Sequence, residues 1–208
     1  MHAVLIEAHY LPSIAYFSAI SQAEKIVVER HEHYIKQSYR NRCYIKTTFG
    51  RQHLIIPLTS KHGKPMIDEV LIDYQQKWLN NHWRTIRSAY ANAPFFEYYA
   101  DDLEKVLFKK PARLYDLNVE LLSLCLKWLK WKIPVVESLS YEKDPIDLKD
   151  LRSVVNPKKT GLLAEFFTPV PYTQVFGATF EENLSIVDLI FCVGPSAAGV
   201  VLDSTLEK

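Results

Sequence analysis

Two histidines, two tyrosines, three cations and an asparagine are packed into twelve residues, His31-Glu32-His33-Tyr34-Ile35-Lys36-Gln37-Ser38-Tyr39-Arg40-Asn41-Arg42. Segments that only join strands are usually about 4–6 residues long and rich in Gly, Pro and Asp, so this one reads as a place where something is bound. His31 and His33 are two apart, and in extended backbone both project to one face. A metal pair, hydrogen bonding to a ligand and a structural role are all open to them. The sequence supplies no HExxH or Cys-rich motif to complete a metal site, and we expect hydrogen bonding to a ligand and no metal. Lys36, Arg40 and Arg42 could clamp a phosphate or carboxylate, the arginines bidentately. The competing reading is a solvated strand edge guarded by charge. Asn41 and the neighbouring tyrosines favour a binding role.

Three further side chains carry chemistry at a distance. His9 stands in the loop His9-Tyr10-Leu11-Pro12 after the first apolar run. His82, one helical turn beyond Trp78, is either a satisfied, partly buried residue or a general base working near neutral pH. Asp188 interrupts the apolar run Ile186-Val187-Asp188-Leu189-Ile190. A carboxylate there must face water or be paired, so it would orient a histidine or bind an arginine. A nucleophile elbow and a Walker loop are both lacking, which leaves nucleophilic and P-loop chemistry without support.

The elements that must position these residues follow from hydrophobic periodicity. Ala3–Ile6 and Lys25–Glu29 read as buried strands around a helix at Ser13–Ala23, a βαβ unit that puts the His9 loop at the carboxyl edge of a sheet. The helix N-terminus behind that loop would favour anions. Cys43–Thr48 and Gln52–Leu58 form a hairpin, Ile67–Ile72 a further strand, and Ser60–Pro65 an exposed loop. Helices are expected from about Gln75 to Tyr90, at Phe96–Phe108, at Ala112–Trp131 and at Leu184–Val193, the last capped by Asn183 or Ser185 and stopped by Gly194-Pro195. Val135–Leu139 is a candidate strand and Tyr172–Phe176 is extended. Residues 142–159, charged and with two prolines, read as an excursion or short lid.

At 208 residues the chain is read as a single domain, 1–208, that needs no metal or disulfide to fold. Its formal charge of +1 creates no field that would draw it to nucleic acid or an anionic membrane. Three isolated cysteines in apolar runs fit buried thiols in a reducing cytoplasm. The N-terminal apolar run falls far short of the ~20 residues that span a bilayer. We therefore expect a soluble cytoplasmic protein with no membrane span.

Taken in order, His9-x-x-Pro12-x-x-x-Tyr16-Phe17, His31-x-His33-Tyr34-x-Lys36, Asn41-Arg42-x-x-Ile45, Leu54-x-x-Pro57, Trp78-x-x-x-His82-Trp83-x-x-Ile86-x-x-x-Tyr90 and Asn183-Leu184-Ser185-Ile186-x-Asp188-Leu189 resemble the WbqC-like family of bacterial proteins over nearly the whole chain. His9-Tyr10 and Ala15 depart from the usual pattern of the first loop. The resemblance implies chemistry on surface-polysaccharide precursors. It points to a transferase acting on a nucleotide-linked sugar or related precursor; the alternative is a non-catalytic binding or scaffold protein of the same pathway. The expected fold is α/β, an N-terminal Rossmann-like βαβ unit with an antiparallel hairpin and helices packed from the C-terminal half. The expected site takes His9, His82 and Asp188 as catalytic groups. His31, His33, Lys36, Asn41, Arg42 and Tyr16 would bind a small-molecule ligand, a sugar nucleotide.

Overall fold

The structure is a computed structural model that describes residues 3–59, 63–158 and 163–206. It is a mixed α/β fold. The strands β1 (Ala3–Glu7) and β2 (Lys25–Glu29) lie parallel, with Val4 opposite Ile26 and Ile6 opposite Val28. Between them α1 (Ile14–Ile20) is buried at six of its seven positions, which is why its sequence is apolar all round. Then β3 (Arg42–Thr47) and β4 (Gly50–Ile55) form a separate antiparallel hairpin. Gly50 (φ 90°) closes its turn, a left-handed conformation that glycine takes without strain.

The helices α2 (Trp78–Tyr90) and α3 (Phe96–Phe108) match the periodicity of their apolar residues. Expected to begin at Ala112, α4 (Leu114–Trp128) buries Leu114, Leu117, Leu121 and Leu124 and ends before Lys130, which is left-handed (φ 59°). After it, β5 (Val135–Glu137) adds to β2, and β6 (Lys149–Asp150) adds to β1. The parallel sheet therefore runs β5-β2-β1-β6. Residues 142–159, expected to leave the body of the protein or cap it, contribute the strand β6, and just beyond it Leu151, Val154 and Val155 are buried.

Two expectations change for physical reasons. Ile67–Ile72 is not one strand: Ile67 and Val70 are buried three apart and Ile67–Glu69 forms a 3₁₀ turn with its acids outward, while only Leu71 and Ile72 make isolated bridges, to Arg113 and Leu58. The N-terminus of α1 is not open to anions. The Ala15 amide donates to Asn183 Oδ1 at 3.0 Å, and the Ile14 amide donates to the Leu184 carbonyl. The segment Asn183-Leu184 thus occupies the position an anion would need. Of the loop Ser60–Pro65, residues 60–62 lie outside the described residues, and Gly63 and Lys64 are exposed.

The last elements are α5 (Ile186–Val193), capped by Ser185 through a bond from the Val187 amide, and α6 (Ala197–Asp203). By length and composition Ile186–Asp203 is apolar enough to cross a membrane, but it packs as two helices over the core, broken at Gly194. Gly194 sits at φ 56° against the Phe95 ring, and a Cβ there would lie 2.4 Å from Phe95 Cδ1. Cys43, Cys125 and Cys192 are free and buried.

Candidate functional site

Every strand of the parallel sheet ends on an acid: Glu7, Glu29, Glu137 and Asp150. A charge cannot sit in the middle of a strand covered on both faces, whereas at the last position the side chain reaches the open edge. Each acid meets an arginine there. Arg40 Nη2 is 3.5 Å from Glu7 Oε1, and Arg152 Nη1 donates to Glu29 Oε2 at 2.9 Å. Arg30 Nη1 donates to Glu137 Oε2 at 2.6 Å, and Arg152 Nη2 to Asp150 Oδ2 at 2.7 Å. Arg40, 2% exposed, also holds Glu32 with two bonds, at 2.6 Å from Nε and 2.5 Å from Nη2. The remaining acceptors are filled locally. Both oxygens of Glu7 take the Ser153 amide, and Glu29 Oε1 takes the His31 amide at 2.8 Å and the Ser138 hydroxyl at 2.7 Å.

Over this network opens a cleft of about 610 Å³ lined by His31, Glu32, His33, Ile35, Met66, Tyr141, Lys143, Asp150, Arg152 and Ser153. The rim is fixed: Arg152 stacks on Tyr141 at 4.9 Å and donates to the carbonyls of Glu142 and Lys143. His33 Nδ1 is 2.9 Å from the Lys64 carbonyl. Ser153 adopts a left-handed backbone (φ 63°), unusual for a residue other than glycine, and so turns its amide onto Glu7.

The ionisation of the floor follows from its partners. Burial pushes Glu7 up, but contact with His9, the charges of His9 and Arg40, and the Ser153 amide outweigh it and hold Glu7 at about 2. Burial lowers His9, and Glu7 offsets this only in part. Burial also raises Glu32 against the pull of Arg40, with the negative charges of Glu7 and Glu29 adding to the rise.

The sequence-selected residues fall into separate places. His31 and His33 line the cleft. His9, 1% exposed, lies beneath with Nε2 3.3 Å from Glu7 Oε1, its ring between those of Tyr16 and Tyr39. Tyr16 is fully buried and donates its hydroxyl to the Glu7 carbonyl. Lys36 and Asn41 line a different cavity, and Arg42 opens β3 with its Nε buried. His82 packs on α2 against Trp78, with Nδ1 3.1 Å from the Tyr10 hydroxyl; burial lowers it to about 4, so its ring is neutral at neutral pH. Asp188 meets neither a histidine nor an arginine. It accepts from the Tyr90 hydroxyl at 2.6 Å and the Tyr172 hydroxyl at 2.5 Å.

The model of the WbqC-like protein family matches residues 7–159. The chain belongs to that family. The matched stretch begins at the acid that ends β1 and contains every residue lining the cleft, while Asp188 and α5 lie beyond it. An uncharacterized protein of Mycobacterium tuberculosis, Rv1507c, is 28% identical, the alignment covering 93% of this chain and 94% of that one. No solved structure matches the chain.

In this WbqC-like protein the residues that sequence reasoning passed over are Glu7, Glu29, Lys143, Asp150, Arg152 and Ser153. One signal was available: the two central strands each finish on glutamate, Ala3–Glu7 and Lys25–Glu29. The arginine that completes the edge was not visible, because Glu29 and Arg152 are 123 residues apart in sequence. Among the described residues no group of three His, Cys, Asp or Glu side chains is placed to hold a metal.

Proposed function

We propose that this protein is a cytoplasmic transferase acting on a nucleotide-linked sugar or a related surface-polysaccharide precursor, with the carboxyl-edge cleft as its reaction site. The observation that carries this reading is the convergence of His31, Glu32, His33, Lys143, Asp150 and Arg152 on one cleft at the carboxyl edge of a parallel sheet. Ligands of open α/β sheets bind at that edge. A scaffold would offer an exposed apolar surface there instead. Within this reading Lys143 faces the anionic part of the ligand, and Asp150 and Glu32 accept from sugar hydroxyls. His31 or His33 takes the proton of the attacking acceptor group as the nucleotide leaves, a contribution of order 10²–10⁴ in rate. Beneath them Glu7, His9 and Arg40 hold the wall in place, and Tyr141, Lys143 and Arg152 form the rim that encloses the ligand.

The experiment follows nucleotide release from a panel of sugar nucleotides incubated with the purified protein and cell-envelope precursors. His31→Ala and His33→Ala should lower turnover by about 100-fold or more while the melting temperature stays put. Binding of a sugar nucleotide without turnover under any acceptor would favour the non-catalytic reading. That reading has one observation behind it: Arg40 and Arg152 are engaged by carboxylates and carbonyls, an arrangement suited to rigid recognition.

A further inference from the structure

A second cavity, of about 390 Å³, lies on the other side of the wall that bounds the cleft. The wall is one pair of extended segments thick. His33 bridges to Met66 and both line the cleft, while the next pair, Tyr34 and Pro65, joined by the Tyr34 amide to the Pro65 carbonyl at 2.9 Å, lines the cavity. The cavity's remaining walls include the apolar Ile56, Pro57 and Val70. Asn41, Lys36, Thr59 and the Tyr34 phenol break this apolar lining, and the first two point to a ligand. Asn41, 6% exposed, donates its Nδ2 to the Ile56 carbonyl at 2.9 Å, yet its Oδ1 is buried and accepts nothing among the described residues. A buried amide oxygen without a donor is costly and calls for a partner. Lys36, exposed, places an ammonium at the edge.

An apolar slot with one unmet acceptor and one cation matches a planar heterocycle that carries an N–H and is joined to an anionic tail. We infer that this cavity is the subsite for the nucleoside diphosphate part of the ligand. The base lies against Tyr34, Ile56 and Pro57 with an N–H directed to Asn41 Oδ1, and the diphosphate passes Lys36 toward the cleft. This rests on the sugar-nucleotide reading above and deepens it: base recognition is assigned to one side of the His33–Tyr34 wall and chemistry to the other.

Calorimetry with the uridine, thymidine, cytidine, guanosine and adenosine diphosphates tests it. At least one should bind, and its Kd should rise tenfold or more in Lys36→Ala and in Thr59→Trp, an exposed lining position where the indole covers the mouth. Both variants should melt with the parent protein, and His31→Ala should leave diphosphate binding within twofold. If a uridine diphosphate binds, its N3-methyl analogue, which lacks the base N–H, should bind at least tenfold more weakly. Failure of all five to bind, or binding indifferent to Lys36→Ala and Thr59→Trp, overturns the inference. Sugar-nucleotide turnover that these two variants do not change would leave the transferase reading standing and remove the subsite. Diphosphate binding in the cavity without turnover or any effect of His31→Ala and His33→Ala on sugar-nucleotide binding would do the reverse.

Discussion

Two buried carboxylates, Glu7 at 1% and Asp188 at 0% exposure, are held in opposite ways. Glu7 ends a strand beside Arg40, His9 and a strained backbone amide, and these keep its carboxyl far below the ordinary range. Asp188 stands in the first turn of α5, where its oxygens meet two phenols and the Gln174 amide, and burial raises it. The helix N-terminus favours its negative charge by less than a guanidinium in contact would. Glu7 is thus a fixed charge within the floor of a cleft. Asp188 is a knot: through Tyr172 and Gln174, which exchanges bonds with Glu181, it ties the irregular segment 172–181 to the helices, and Lys46 joins from β3 through Gln174. A buried carboxylate therefore marks a site only when its partners are themselves charged and lie directly beneath a cleft.

The sharpest break is Arg40→Met. It strips the guanidinium from Glu7 and Glu32 in one step, and the loss should be about 3–5 kcal/mol in urea unfolding, the usual result of leaving buried charge unpaired. A cost under ~1 kcal/mol would mean that the floor is hydrated and the contrast with Asp188 is false.

Next comes the response to pH. Glu7 is depressed from 4.5 to about 2 on folding, so its contribution is complete above pH 4.5 and is lost as the pH falls toward 2. The full amplitude is roughly 3 kcal/mol. Asp188 is raised above 3.8, so its contribution is complete below 3.8 and is lost as the pH rises through the shifted value. Stability measured from pH 2 to 8 should lose its acid limb in Glu7→Gln, while Asp188→Asn should instead flatten the decline on the rising side. Identical profiles for the two variants would erase the distinction.

A smaller effect is expected from Tyr90→Phe, which removes a donor to Asp188 and an acceptor of the Lys46 amide. About 1–3 kcal/mol should be lost, with sugar-nucleotide binding unchanged; a loss of binding would extend the site to α5. The least effect belongs to the surface. Lys36→Ala should shift unfolding by less than about 0.5 kcal/mol, and a chelator should leave the melting curve where it was.

How far the chain could be read depended on whether the information was local. α2 and α3 were legible because Trp83, Ile86 and Tyr90, and Ala100, Leu103 and Leu107, recur at helical spacing and are the residues buried. Ser185 was legible as a cap because its bond closes within two residues. The strand β6 was not: Lys149-Asp150 has no apolar alternation, and it becomes a strand only because β1 presents a free edge beside it. His82 was placed on the right helix, but its surroundings, Tyr10 and the turn that carries it, come from another part of the chain.

The same division holds for the site. Residue type and spacing singled out His31–Arg42 as a candidate segment and put a loop at the end of β1, since these depend on neighbours within a few residues. Which cavity each side chain joins was settled by folding. Successive residues of extended chain point to opposite sides, so His33 faces one cleft and Tyr34 the other. Arg40 was drawn inward by Glu32 and by Glu7, the latter from a separate strand. The pairing of Glu29 with Arg152, and of Glu7 with the Ser153 amide, spans most of the chain. Such pairs follow from which strands lie side by side, and only the packed sheet sets that order.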